Sequence, residues 1–198
     1  MTMERIELDL PLRGERDYIQ GADIYNAIAA AVQARDGRAS GPVRVDMHDI
    51  SRSQCGLLLG RGDAPEKPAH ARAQFRIGEW SGWLVESGES VSRRMPYDEA
   101  AITRLCSANG SIIRIREKTT YSPIEVLISA TKLLHQKLHP LVDKRWIVTR
   151  LEFARLLAET DFDLTIELLQ NLNNRLTRSS VLACGEPLGH VYFSAIKA

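Results

Sequence analysis

Cysteine is scarce in this chain of 198 residues: Cys55, Cys106 and Cys184 are the three, odd in number and far apart. No Cys-x-x-Cys pair and no Cys/His pair at zinc spacing occurs, which argues against a disulfide framework and a structural zinc site. An excess of one charge is also missing. The 26 Lys and Arg against 25 Asp and Glu leave +1, so nothing marks a nucleic-acid or other polyanion binder. Long apolar runs are absent too. Ala27–Val32 is short, well below the roughly 18 residues of a membrane span. The N-terminus, Met1-Thr-Met-Glu-Arg-Ile-Glu-Leu-Asp-Leu-Pro, alternates charged and aliphatic residues and has no signal-peptide core. These absences point to a cytoplasmic protein with reduced thiols. What is present, 44% hydrophobic and 26% charged residues, is ordinary globular composition for one domain or two small ones.

The pattern along the chain is legible. Ile6, Leu8 and Leu10 alternate with Glu7 and Asp9 as a strand over 4–10. From Gly21 to Ala34, Ile24, Ile28, Ala31 and Val32 recur at helical spacing, with Asp23 in the first turn, and the loop from Asp36 to Pro42 ends this helix. Strands follow at Val43–Ile50, Cys55–Gly60, Ala69–Ile77 and Ser81–Val91, with a loop from Arg61 to Pro68. Residues 95–110 read as a short connecting helix stopped at Asn109-Gly110. The pattern then restarts. Ile113 and Ile115 mark a strand, and Ser122-Pro123 with Glu125 forms a capping box opening a helix. Its buried stripe is Val126, Ala130, Leu133, Leu134 and Leu138. Four β-rich stretches complete the chain: Arg145–Phe153, Phe162–Leu169, Arg175–Cys184 and His190–Ile196.

The order strand, helix, four strands therefore occurs twice, which is the mark of an internal duplication. Asp23-Ile24 falls on Glu125-Val126, and Val43-x-Val45-x-Met47 on Ile147-x-Thr149-x-Leu151. The sharpest agreement is Gly78-Glu79-Trp80-Ser81-Gly82 with Gly185-Glu186-Pro187-Leu188-Gly189. In both halves a Gly-Glu-x-x-Gly turn joins the last two strands, where glycine admits a positive φ. Residues 1–94 are expected to form the first repeat, 95–110 a connector and 111–198 the second.

This α+β order resembles the hotdog superfamily in its double form, in which each antiparallel sheet curls around a long helix. The resemblance covers nearly the whole chain and rests on element order and patterning. It implies acyl-thioester processing of the thioesterase or 3-hydroxyacyl dehydratase kind. Acyl-CoA or acyl carrier protein would be the substrate, and the acyl chain would bind at the seam of the two repeats near a helix N-terminus. The dehydratase branch of the superfamily has a histidine shortly before the helix. Here Arg16-Asp-Tyr-Ile-Gln-Gly-Ala-Asp23 and Lys118-Thr-Thr-Tyr-Ser-Pro-Ile-Glu125 have none. Thioesterase branches instead use an Asp or Glu near the helix start, a place that Asp23 and Glu125 occupy. These two are the candidate catalytic residues, with Asp23 favoured because no Ser or Thr cap precedes it, Glu125 its counterpart in the second half, and at most one working site expected.

Thioester hydrolysis needs a base or nucleophile and donors for the oxyanion. A first-turn carboxylate and helix N-terminal N–H groups supply them. The same carboxylates also fit a purely structural role, and for Glu125 the capping box alone suffices. Tyr18 and Tyr121, which precede the two helices, are candidate substrate-binding residues, as is His190, which follows the second turn where the first half has Trp83. His135 and His139 stand at i, i+4, but no His-Glu-x-x-His occurs, and the dipole favours histidine near a helix C-terminus anyway. No metal and no cofactor are expected. Arg13, Arg16, Arg93 and Arg94 read either as surface charge or as steering groups for an acidic carrier. A homo-oligomer is compatible with the sequence. The rival readings are a non-catalytic acyl-binding or assembly protein of hotdog shape, and a chorismate-lyase-like sheet lacking the repeat.

Overall fold

The computed structural model describes residues 3–37 and 40–197. Met1 and Thr2 of the N-terminal reading, and Arg38 and Ala39 of the loop after the first helix, lie outside the described residues, as does Ala198. The chain divides into two compact units. One is Met1–Tyr97 with Ala154–Leu156, and the other is Asp98–Phe153 with Leu157–Ala198.

The first unit contains β1 (Glu4–Glu7), β2 (Leu12–Arg13), α1 (Gly21–Asp36), β3 (Val43–Met47), β4 (Ser53–Arg61), β5 (Ala71–Ile77), β6 (Trp80–Ser90) and β7 (Arg94–Met95). Its antiparallel sheet has the order β1-β4-β6-β5-β3, with β2 and β7 pairing in parallel beside it. Ile24, Ile28 and Val32 of α1 are buried, as are Val43, Val45, Leu57, Leu59, Phe75, Ile77 and Leu84 from the strands. Each such side chain contributes roughly 2 kcal/mol of burial. The strand expected over 4–10 stops at Glu7. Beyond it Leu10 is still buried, and its N–H and C=O are both bonded by the Gln54 amide at 3.1 Å.

The second unit contains α2 (Glu99–Arg104), β8 (Ser107–Asn109), β9 (Ile112–Ile115), α3 (Pro123–Leu138), β10 (Lys144–Phe153), β11 (Leu164–Leu172), β12 (Leu176–Ala183) and β13 (Glu186–Lys197). Its strand order is β10-β13-β12-β11-β9-β8, all antiparallel. Ile124, Leu127, Ala130 and Leu134 of α3 pack with Ile113, Ile115, Leu151, Ile166, Val181, Val191 and Phe193 as a second core. In both units the sheet wraps a 16-residue helix, so the expected α+β double-hotdog architecture is present.

Three local readings need correction. The segment 95–110 is helical only over Glu99–Arg104; Ser107–Asn109 is a strand, and Gly110 (φ 54°) serves the β8–β9 hairpin rather than stopping a helix. The α3 stripe includes His135, at 0% exposure, while Leu133 and Leu138 are only partly covered. The two Gly-Glu pairs are not equivalent. The β5–β6 turn is Gly78-Glu79, whereas the β12–β13 turn is Cys184-Gly185 at φ 51° and 83°, one residue earlier in the motif.

The second glycine of each motif is the equivalent one. Gly82 pairs with Phe75 and Gly189 with Val181, in each case two residues before the end of the preceding strand. A Cβ on Gly82 would lie 1.8 Å from the Leu58 carbonyl oxygen, and one on Gly189 would lie 2.0 Å from that of Glu152. Neither site has room for a side chain.

The units share element order but not strand order. β12 joins β11 by the short Asn173–Arg175 turn, with Asn173 and Asn174 at φ 52° and 53°. β4 and β5 are both antiparallel to β6 and lie on either side of it, so residues 62–70 must cross β6. Strand β6 and the turn before it hold that crossing. The Gly62 N–H donates to the Glu79 carbonyl (2.7 Å), the Ser81 hydroxyl to the Gly62 carbonyl (2.5 Å) and the Trp83 indole to the Pro65 carbonyl (3.1 Å).

Candidate functional site

At the entry to α3, proline at the first helical position and the Ser122 cap fix the start of the helix. The Ser122 backbone N–H and hydroxyl both donate to Glu125 Oε2, at 2.9 and 2.8 Å, and Glu125 is 7% exposed. Tyr121 is half-buried, and its hydroxyl donates to the Asp98 carbonyl at 3.2 Å. Beside this turn lies a small, open depression lined by Tyr121, Pro123, Val126 and Phe162, by Lys118 and Thr119, and by the carboxylates Glu117 and Glu159. Glu125 belongs to the same first turn as Pro123 and Val126 but is not part of the lining. The depression combines an apolar wall with one cation and two carboxylates beside the N-terminal end of a helix, so it can take an apolar group with a polar rim of mixed charge around it.

The entry to α1 is built differently. Arg13, on β2, grips Asp23: its Nη2 donates to Oδ1 at 2.6 Å, and its Nε lies 3.2 Å from both carboxylate oxygens. The side chains are 18% and 7% exposed. Around this pair the neighbouring arginines are also engaged. Arg16 lies 5.0 Å from the Tyr97 ring centre, Arg93 pairs with Asp9, and Arg94 donates to the carbonyls of Gly14 and Arg16. Arg93 and Arg94 are exposed, as the surface-charge reading has it, while Arg13 and Arg16 are half-buried. Tyr18 is half-buried in the same loop.

His190 is placed elsewhere. On β13, Val191 and Phe193 face the core, while His190 and Tyr192 lie on the opposite side. His190 Nε2 accepts from Arg178 Nη2 at 2.8 Å, so the ring is neutral with its proton on Nδ1. Burial, then the Arg178 charge, lowers its pKa. Tyr192 donates to Glu152 at 2.8 Å, and burial followed by that hydrogen bond raises its pKa. Tyr121 and Glu125 flank the entry to α3, and Tyr18 and Asp23 the entry to α1, whereas His190 lies in a polar group on the outer side of the second sheet.

Sequence reasoning did not find Arg13 as the partner of Asp23, nor Lys118, Val126 and Phe162 as one wall. Contacts of 10 residues and more in separation leave no periodic signal. Among the described residues no group of three His, Cys, Asp or Glu side chains could hold a metal, and no helix is long and apolar enough to cross a membrane.

Two strand–helix–four-strand units, each with a sheet around its helix and a carboxylate in the helix's first turn, define a double-hotdog fold. Solved structures carry the same fold. A thioesterase II from Thermobifida fusca aligns over 100% of this chain and 92% of its own, at 10% identity and TM-score 0.53. The tesB protein of Mycobacterium avium subspecies paratuberculosis aligns over 98% and 94%, at 13% identity and TM-score 0.50. The dehydratase domain of PpsC from Mycobacterium tuberculosis, solved with C12:1-CoA, aligns over 98% and 93%, at 13% identity and TM-score 0.48. The fold assignment rests on the first two. No family model matches the chain, and no curated protein matches it.

Proposed function

We propose that this protein binds and processes acyl thioesters, carried by coenzyme A or an acyl carrier protein, at the N-terminal end of α3. The observation that carries this reading is the depression lined by Tyr121, Pro123, Val126 and Phe162 with Lys118 beside it. Its apolar wall suits an acyl group, and Lys118 is the group in the lining that could meet a carrier phosphate, against the carboxylates of Glu117 and Glu159. In hydrolysis, the Glu125 carboxylate takes a proton from water as the water oxygen attacks the thioester carbonyl. The Ile124 N–H, the first-turn amide that neither the proline nor the cap removes, stabilises the oxyanion, the C–S bond breaks, and the proton passes to the departing thiolate. The second unit is the working one in this reading, because Arg13 already neutralises Asp23.

The second reading is acyl-thioester binding without turnover, the role of a binding or assembly protein. It is favoured by the same Arg13–Asp23 pair and by the use of Glu125 Oε2 in the capping box. Purified protein assayed against a panel of acyl-CoA and acyl-carrier thioesters separates the two. In the enzyme reading thiol is released, and Glu125→Gln, which retains a capping amide, lowers kcat by about 100-fold or more with the fold intact. Lys118→Ala raises KM with little effect on kcat. Saturable binding with no thiol release and no dehydrated product establishes the second reading; neither binding nor turnover removes both.

A further inference from the structure

The walls of the depression at α3 are held in place from both sides. In the turn before β11 the Ala158 N–H donates to Asp161 Oδ2 at 2.8 Å, and the Asp161 N–H donates to the Ala158 carbonyl at 2.9 Å. Just beyond, the Asp163 carbonyl accepts from the Cys184 N–H at 2.7 Å. Phe162 stands between these anchors at 40% exposure, the one aromatic among the large apolar side chains exposed in the described residues. Across from it, the Thr119 hydroxyl accepts from the Tyr121 N–H at 3.1 Å and donates to the Tyr121 carbonyl at 3.2 Å. The Tyr121 hydroxyl is tied to the Asp98 carbonyl. Both walls are thus set before any ligand arrives, which favours a ligand of matching size.

The floor is closed as well. Pro123 and Val126 are buried, and Ile115, Ile124, Leu127 and Leu164 in the core beside them are at most 1% exposed. A channel wide enough for a methylene chain would leave accessible area on these side chains, so none runs between α3 and its sheet at this end. A chain seated here must end within the depression. Pro123 and Val126 are one helical turn apart, about 5 Å along the axis and the length of about four carbons. The rim is uneven in charge, with the exposed carboxylates of Glu117 and Glu159 against the single ammonium of Lys118. An acyl group that ends in its own carboxylate meets net repulsion there.

We propose, on the basis of the acyl-thioester reading of this site, that the group it takes is a short, uncharged acyl chain of about four carbons. Phe162 supplies the contact that favours that length, because it is the one wall residue contributed from outside α3 and the segment leading into it.

Acetyl, butanoyl, hexanoyl and decanoyl esters of coenzyme A test this, compared by kcat/KM where thiol is released and by Kd where it is not. Full burial is worth about fourfold per methylene, so a gain of about threefold per methylene is expected from acetyl to butanoyl in this open site. From hexanoyl to decanoyl the whole gain is less than about twofold. Succinyl-CoA falls about fivefold or more below butanoyl-CoA, and Glu117→Gln with Glu159→Gln narrows that gap. Phe162→Ala, at an exposed position, reduces the gain per methylene to below about twofold with unchanged circular dichroism, whereas a structural loss lowers every ester alike. A gain that continues to decanoyl, a succinyl ester equal to the butanoyl one, or a slope untouched by Phe162→Ala overturns this inference and leaves the acyl-thioester reading standing. Esters of coenzyme A and of acyl carrier protein that neither bind nor react overturn both.

Discussion

At the scale of single residues, burial decides what each ionisable group can do. The Asp23 carboxylate lies in a first turn without a side-chain N-cap, where sequence reasoning reads a base, and Arg13 converts it into half of a covered ion pair. Removing one partner of such a pair leaves an uncompensated charge. Arg13→Ala should therefore destabilise the protein by about 3 kcal/mol in urea unfolding, and Arg13→Met with Asp23→Leu should recover most of the loss. His135 has the opposite problem. It is fully buried between Trp146 and Phe193, with ring centres 5.0 and 5.2 Å away, and neither ring nitrogen has a partner. Burial, with a smaller contribution from His139, pushes its pKa down to about 4. The unfolded chain, with an ordinary histidine pKa of about 6.5, takes up the proton first. Stability should thus fall as the pH drops from about 6.5 towards 4, by up to about 3 kcal/mol from this one group. His135→Leu should flatten that part of the stability-versus-pH curve; a slope unchanged in the variant would assign the acid sensitivity elsewhere.

At the scale of elements, the two repeats keep what their geometry requires and differ elsewhere. Gly82 and Gly189 persist because each lets a strand pass against a neighbouring backbone. Gly82→Ala and Gly189→Ala should each cost about 3 kcal/mol or more, or prevent folding, since the clash is with main chain that cannot turn aside. Gly110→Ala, where a Cβ meets nothing within 4 Å and only φ is strained, should cost about 1 kcal/mol. Thermal melts of the three variants check the ranking. Helix starts were legible because capping chemistry is local: Ser122, Pro123 and Glu125 announce α3 in four residues. The exchange of β5 and β6 in the first sheet was not legible. Strand neighbours depend on where residues 62–70 travel, and a polar loop with two prolines reads the same whichever way it crosses.

At the scale of the whole molecule, the thioester reading rests on the second unit alone, at the entry to α3. By itself the sequence determined two strand–helix–four-strand units, the two long helices and the main strands to within a few residues, and the helix entries where Asp23 and Glu125 sit. Periodicity, caps and turn glycines act over a few residues, and a reader of the chain can see them. Only the tertiary structure decided which charges meet and which histidine enters the core. Arg13 reaches Asp23 and His135 packs on Trp146 and Phe193 because of how distant segments fold together, and hydrophobic patterning is indifferent to that choice.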